Sequence, residues 1–155
     1  MGKKHGPNKL SNYVETHTTV MRQFISEGFV LSEGLLLYPV GQGLLVISGD
    51  VRCLGGIVLN IAKVLEIVRN DPTNPVVQTV AYSYNAKLEG LGNIVRYDSP
   101  HDHRPRHHVH RFDVLNGDPD GTVDDIKDDD WPTIGDLLGE LRDFYYRNFE
   151  RLKDR

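Results

Sequence analysis

The sequence predicts a single α+β domain in which a curved antiparallel sheet carries an N-terminal helix and a C-terminal amphipathic helix packed on it. The hydrophobic pattern is helical at first, then typical of strands, and helical again, which is the order of an α+β protein rather than of alternating βαβ units. With 155 residues, the chain has the size of one domain. Neither GxGxxG nor GxxxxGKS/T occurs, which argues against a nucleotide-binding α/β fold.

The first helix is predicted from Tyr13 to Glu27. Asn12 followed three residues later by Glu15 matches a capping box, and Gly28 is a suitable stop. Residues 1–12 are basic and contain no apolar run, so we expect a flexible basic tail rather than a signal peptide. The folded domain is therefore expected to span residues 13–155.

Alternation of apolar and polar residues predicts several strands through the middle of the chain, separated by turns rich in glycine, proline and asparagine. A hairpin is expected around Gly41-Gln42-Gly43. The second half of the 57–68 segment also suits a helix, because periodicity alone does not separate the two. The predicted strands are 29–38, 44–48, 57–68, 76–85, 93–98 and 107–115, followed by an acidic loop at 116–130.

A strong helix is predicted after Trp131-Pro132. Thr133 is a suitable N-cap, and Asp136 lies three residues further on, near the positive end of the helix. Apolar residues then recur at helical spacing, which predicts that this face packs on the sheet. The members of the stripe are Ile134, Leu137, Leu138, Leu141, Phe144 or Tyr145, Asn148 and Leu152.

Charge and cysteine content narrow the class of protein. The formal net charge is −4, so the chain is not a globally basic nucleic-acid-binding protein. Cys53 is the only cysteine, which excludes an intramolecular disulfide and fits a reducing compartment, so we expect a cytoplasmic protein. Charged residues interrupt the apolar stretches, and we expect no association with a membrane.

Histidines and arginines are concentrated in residues 96–111, which we call the His/Arg segment. Five of the seven histidines lie here, at positions 101, 103, 107, 108 and 110, with arginines at 96, 104, 106 and 111. Histidine titrates near neutrality, and it can transfer a proton, bind a metal or pair with a phosphate. Because burying imidazole and guanidinium is costly without partners, such a density indicates function rather than folding.

One interpretation of the His/Arg segment is a site for a divalent metal. His108 and His110 fall on one face of a predicted strand, and His101 could join them from the preceding loop. Asp98 would add a carboxylate. Imidazoles with a carboxylate suit zinc, manganese or iron, although no HExxH or Cys/His zinc spacing is present.

A second interpretation is metal-free acid–base cleavage of RNA, which needs no cofactor. His108 and His110 would be the base and the acid, and Asp98 would orient one of them. Arg96 and Arg106 would stabilise charge on the phosphate, since a guanidinium matches phosphate oxygens. Tyr97 could stack on a base.

Two further interpretations involve no catalysis. The basic segment could bind RNA or DNA in a regulatory protein. It could also be a solvated loop whose charges contact nothing, since loops tolerate such composition. A homodimer formed through sheet edges is compatible with the sequence, although no residue demands it.

The chain resembles the TumE-like toxins of bacterial and archaeal toxin–antitoxin systems. The resemblance rests on Tyr82-x-Tyr84, the run 92–98 ending in Arg96-Tyr97-Asp98, Pro100-His101, and His107-His108-x-His110. It covers about residues 29 to 150, and its specific part is 82–110. Ser99 stands where the family usually has Asn, and Asp102 where it has a second His, so the role of that second histidine is open.

The resemblance implies a growth-inhibiting toxin that is neutralised by an antitoxin, a small DNA-binding protein encoded alongside. Ribonuclease activity is our hypothesis, drawn from the residues themselves. Two sets of site residues follow from the motifs and the chemistry. The candidate catalytic residues are His101, His108, His110, Arg96 and Asp98, and the candidate substrate-binding residues are Tyr84, Tyr97, Arg106 and His107.

Overall fold

Nine strands and two long helices make up the structure, a computed structural model that describes residues 4–155. The strands are β1 (Asn8–Lys9), β2 (Val30–Glu33), β3 (Leu36–Gly41), β4 (Leu44–Cys53), β5 (Ile57–Arg69), β6 (Val76–Leu88), β7 (Gly92–Asp98), β8 (His108–Asp113) and β9 (Asp118–Asp125). The helices are α1 (Leu10–Ser26), α2 (Ile134–Arg147) and the short α3 (Phe149–Leu152), with 3₁₀ turns at Leu54–Gly56 and Val114–Asn116.

All strands belong to one open antiparallel sheet. The order is β2-β4-β5-β6-β7-β8-β9, with β3 also paired to β4, and β1 to the start of β6. From β4 onwards each strand pairs with the next one in sequence, because the short turns predicted from glycine and proline bring consecutive strands side by side. The segment 57–68, which also suited a helix, is strand throughout.

One face of the sheet carries the core. Helices α1 and α2 pack there, with Met21 and Phe24 from α1 and Leu138 from α2 in one cluster with Tyr84 and Tyr97 of the sheet. The predicted fold class, a single α+β domain with a helix at each end of the chain, is confirmed. Across β6, β7 and β8, the opposite face presents polar side chains and is not covered by these helices.

Helix α1 begins earlier than its sequence predicts. It starts at Leu10, and the capping box of Asn12 and Glu15 does not form, since the N-cap residue is Lys9 without a side-chain hydrogen bond. Pairing of β1 with β6 fixes the chain just before Leu10, whose backbone N–H donates to Pro75 O at 2.8 Å. Residues 8–12, predicted to belong to the basic tail, thus lie in β1 and the first turn of α1.

Helix α2 begins as predicted. Thr133 is the N-cap, and its hydroxyl accepts from the Asp136 backbone N–H at 3.1 Å while the Asp136 carboxylate accepts from the Thr133 N–H at 3.0 Å. The reciprocal bonds form a complete capping box. The predicted apolar stripe is buried at Ile134, Leu137, Leu138, Leu141, Tyr145 and Leu152.

The prediction of an acidic loop at 116–130 is wrong for residues 118–125, which form β9. Aspartate and glycine are poor strand formers, so this segment reads as a loop in the sequence. Pairing with β8 overrides that preference, with Val109 opposite Asp124 and His110 opposite Val123. The result is an edge strand rich in exposed aspartate, directly beside the His/Arg segment.

Candidate functional site

Strands β7 and β8 bring four polar side chains onto one face. Arg96 lies directly opposite His110, and Asp98 opposite His108. Residues two apart on a strand share a face, so these four side chains form a compact square on the sheet face opposite the helices. We call Arg96, Asp98, His101, His108 and His110 the histidine cluster.

Asp98 is at the centre of the histidine cluster. Its Oδ2 accepts from Arg96 Nε at 2.8 Å and lies 3.8 Å from His108 Nε2. His108 Nδ1 is 2.9 Å from the Arg106 carbonyl oxygen. Since a carbonyl can only accept, Nδ1 carries a proton, and Nε2 is the atom directed at the carboxylate. This arrangement suits either a proton on Nε2 or a metal ion between the two groups.

Two imidazoles flank His108 and remain accessible. The His108 side chain is only 1% exposed. Its ring makes edge-to-face contacts with His101, at 5.1 Å between centroids, and with His110, at 5.3 Å. His101 is exposed in the loop between β7 and β8, and His110 is half-buried. A substrate approaching this face would therefore meet His101 and His110 first.

The protonation of His110 is set by its neighbours. Partial burial lowers its pKa, and positive charge at His108, Arg96 and Arg104 lowers it further, while Asp98 opposes the shift. Because the ordinary pKa of histidine is about 6.5, the lowered value keeps His110 mostly neutral near pH 7. A neutral imidazole at an accessible position can accept a proton or bind a metal ion.

Three members of the cluster have the geometry of a metal-ligand set. One ligand atom each from Asp98, His108 and His110 lie within 4.8 Å of one another. Two imidazoles and one carboxylate suit zinc, manganese or iron. The Arg96 guanidinium on the same Asp98 oxygen works against a dication there, because its positive charge would lie next to the ion.

Tyr84 and Tyr97 lie away from the cluster, which corrects the position expected for two substrate-binding residues. Their side chains are 0% and 7% exposed and face the helices. The Tyr97 hydroxyl donates to Glu140 Oε2 at 2.9 Å and accepts from Arg111 Nη2 at 2.9 Å. Since Tyr97 alternates with Arg96 and Asp98 along β7, the same strand that presents those two buries the tyrosine.

His107 also lies on the helix side of the sheet. Its Nδ1 is 2.8 Å from the Tyr82 hydroxyl, and its ring stacks with Tyr82 and Trp131. The structure therefore places His107 away from the histidine cluster, packed against Tyr82 and Trp131, and its expected contact with substrate stays a prediction. The Arg106 side chain is exposed, and its carbonyl group holds His108 in place.

The polar face continues onto β6 through two residues that the sequence pattern does not single out. Ser83 pairs with Asp98, and Asn85 pairs with Arg96, so both share the face of the cluster. Within the described chain, the buried Asn85 Oδ1 has no hydrogen-bond partner. Both residues could have been found from the β6–β7 register, which the turn at Gly90–Gly92 sets and which places them opposite Asp98 and Arg96.

No protein-family model, curated protein or solved structure matches this chain. Within residues 4–155, no helix combines the length and the apolar character that crossing a membrane requires. What the protein does is therefore inferred from the histidine cluster.

Proposed function

We propose that this protein is the toxin of a toxin–antitoxin pair, a cytoplasmic ribonuclease that cleaves RNA without a metal ion. The observation that carries the proposal is the convergence of Arg96, Asp98 and three histidines on the sheet face opposite the helices, where Arg96, His101 and His110 are accessible. The resemblance of residues 82–110 to the TumE-like toxins supports the biological role. A cognate antitoxin is the partner that this role requires.

His110 and His101 are proposed as base and acid, because they are the accessible imidazoles of the cluster. Neutral His110 takes the proton of the RNA 2′-hydroxyl, and the 2′-oxygen bonds to phosphorus while the bond to the 5′-oxygen breaks. Protonated His101 gives its proton to the departing 5′-oxygen. The products are a 2′,3′-cyclic phosphate and a 5′-hydroxyl, so the step consumes neither water nor cofactor.

Arg96 is proposed to stabilise the charge that develops on the phosphate. Its Nε is held by Asp98, yet its side chain is 51% exposed and can reach a ligand above the face. A guanidinium fixed by one carboxylate is well suited to bind phosphate oxygens. His108 and Asp98 are buried beneath, and we assign them to positioning His101, His110 and Arg96 rather than to contact with RNA.

The test is cleavage of a defined RNA by the purified full chain with and without a chelator. We expect cleavage in both conditions, products ending in 2′,3′-cyclic phosphate, and a loss of about 100-fold or more in H110A and H101A. The matched control is H103A, an exposed histidine of the same loop outside the cluster. H103A should cleave at nearly the wild-type rate.

Growth measurements test the biological role separately. Induced wild-type protein should arrest growth, and an H108A/H110A double variant of equal soluble abundance should not. Arrest by both proteins would retain the toxin and refute the site. RNA that is bound but never cleaved would refute the enzyme and leave a nucleic-acid-binding regulatory protein.

A metal-dependent nuclease or phosphodiesterase is the second candidate function. The specific observation in its favour is the close approach of ligand atoms from Asp98, His108 and His110. In that case the purified protein should bind about one equivalent of zinc or manganese, and H108A should abolish binding. Cleavage that a chelator stops and the metal restores would favour this mechanism over the metal-free one.

A further inference from the structure

A cavity of about 190 Å³ lies on the helix side of the sheet, away from the histidine cluster. The N-terminal segment, α1, β5, β6 and the start of α2 surround it. Its polar walls include Lys63, Tyr13, His17, His5, Gln78 and Thr79. Drug-sized ligands occupy pockets of roughly 300–1,000 Å³, so this one has room only for a small molecule.

Lys63 is the unusual member of the lining. It is in phase with Ile61 and Leu65 on β5, so its side chain points to the core face and is only 5% exposed. Within residues 4–155 it forms no ion pair. Its Nζ lies 4.9 Å from the Tyr13 ring centroid and 5.8 Å from that of Trp131. Aromatic faces compensate a buried ammonium only in part.

Tyr13 adds a second unmatched polar group at the same cavity. Its hydroxyl is buried and makes no hydrogen bond of ordinary geometry within the part of the chain that the structure describes, and the Thr79 side chain in the same cavity wall interacts with it only weakly. Buried hydroxyls are nearly always paired, so an unpaired one lining a cavity next to an unpaired ammonium indicates a missing acceptor.

The remaining lining is rich in donors and contains no acidic side chain. Burial and the neighbouring Lys63 lower the pKa of His17 to about 4, so its ring is neutral near pH 7 and offers one N–H. Ile134 and Gly135 bring the N-terminal end of α2 to the wall, where the helix dipole is positive. Asp136, the acidic residue that follows Gly135 in α2, is paired with Lys4 at 2.7 Å.

We propose that this cavity binds a small organic oxyanion, a carboxylate or a phosphate, whose charged group accepts from Lys63 and Tyr13. Val20, Val77 and Ile134 provide an apolar wall for a short aliphatic or aromatic body. The site is separate from the proposed ribonuclease face. Lys63 pairs with Tyr82, and both side chains lie on the helix side of the sheet, whereas the histidine cluster lies on the other side.

The test is titration of the full chain with acetate, benzoate, inorganic phosphate and phenyl phosphate. Trp131 is the only tryptophan, and its contact with Lys63 makes its fluorescence a local readout, with calorimetry as a second measurement. We expect at least one probe to bind saturably with a Kd below about 1 mM. Comparing the carboxylates with the phosphates identifies the preferred oxyanion. Comparing benzoate with acetate, and phenyl phosphate with inorganic phosphate, gives the contribution of the ring.

Variants decide whether Lys63 and Tyr13 form the site. K63M should weaken binding about tenfold or more, and Y13F by a few-fold, since charge-assisted hydrogen bonds are the stronger ones. K87M, the same change at an exposed lysine on β6, should bind as the wild type does. The proposal is overturned if no probe binds the wild type at about 10 mM, or if K63M and Y13F both bind as tightly as the wild type.

Discussion

His108 and His110 carry the same side chain two residues apart, yet their surroundings separate their roles. His108 is buried, with Nδ1 bonded to a backbone carbonyl and Nε2 directed at Asp98. His110 lies at the edge of the same group, where a substrate can reach it. Burial and hydrogen bonding at each residue, rather than residue type, therefore decide which imidazole can exchange protons with a ligand.

Replacing Arg96 should raise the pKa of His110. Arg96 contributes positive charge that lowers this pKa, and it also pairs with Asp98, which raises it. In R96Q the cation is lost and the Asp98 charge is less compensated, so both changes favour the imidazolium. Titration of the His110 ring by NMR checks this directly, and it does not depend on activity.

Arg147 near the end of α2 offers the matched control for that titration. R147Q removes one arginine charge from an exposed position that does not influence His110. Its His110 titration should coincide with that of the wild type. An unchanged or lowered His110 pKa in R96Q would contradict the electrostatic account of the cluster.

Lys63 should make stability depend on pH in the alkaline range. Burial lowers its pKa from 10.5 to about 8. Between these values the unfolded chain holds a proton that the folded chain has lost, so raising the pH favours the folded state. Relative to K63M, the free energy of unfolding of the wild type should rise by about 3 kcal/mol from pH 8 to 10.5.

The difference between wild type and K63M is the quantity to follow by urea denaturation at a series of pH values. Buried tyrosines also titrate at high pH, and the comparison cancels their contribution. A difference that stays constant from pH 7 to 11 would show that the pKa of Lys63 is the same in the folded and unfolded chains, and so that burial does not lower it. K63M itself should be at least as stable as the wild type at pH 7, because it removes a buried charge.

The turn between β4 and β5 packs closely against helix α2. Gly55 has a φ of 73°, and a Cβ there would lie 2.7 Å from Cδ2 of Tyr145 on α2. G55A should therefore cost about 3 kcal/mol or more in unfolding free energy, from backbone strain together with the clash. Chemical denaturation measures this cost.

A substitution at Gly43 measures backbone strain alone, and so separates it from the steric clash in G55A. Its φ is 74°, and a Cβ there would meet nothing within 4 Å. G43A should cost only the strain of about 1–2 kcal/mol. Equal losses in G43A and G55A would mean that packing against α2 contributes little at this turn.

The two edges of the sheet differ in character, which bears on the predicted homodimer. At one edge, β9 exposes aspartates, and charge on an edge strand prevents pairing with other chains. At the other, β3 exposes Leu36, Leu37 and Val40. If two copies associate, we expect them to use the β3 edge, and a homodimer through sheet edges stays a prediction.

Removing charge from β9 should therefore cause self-association. A D120T/D124T variant exposes a less charged edge, and light scattering should show mass increasing with protein concentration. The control is D143T/D154T, which changes net charge equally at exposed positions outside the sheet. Monomeric behaviour of both variants would show that the aspartates do not protect this edge.

At the scale of the whole molecule, local signals determined most of what the sequence predicted. Helix α2 was predictable because its cap and its apolar stripe agree. Strand β9 was not, because its pairing with β8 is a tertiary effect that opposes its composition. The start of α1 was missed for a similar reason, since β1 pairing rather than a side-chain cap fixes it.

The candidate site shows the same division. Alternation along β7 and β8 was enough to expect Asp98, His108 and His110 together, and their ligand atoms do converge. The same alternation assigns Tyr97 to the other face, which the motif-based choice of substrate residues overlooked. The burial of Lys63 could also have been predicted from its phase with Ile61 and Leu65 on β5. Because lysine is so rarely buried, however, its residue type predicts an exposed position.

The N-terminal segment is held by residues near the other end of the chain. His5 stacks on Trp131 with 3.3 Å between ring centroids, and Lys4 pairs with Asp136. Contacts between residues so distant in sequence cannot form during synthesis until about 130 residues have left the ribosome. Lys4 and His5 thus find their place only after the segment around Trp131 has been made, and until then a nascent chain keeps the Lys63 cavity open.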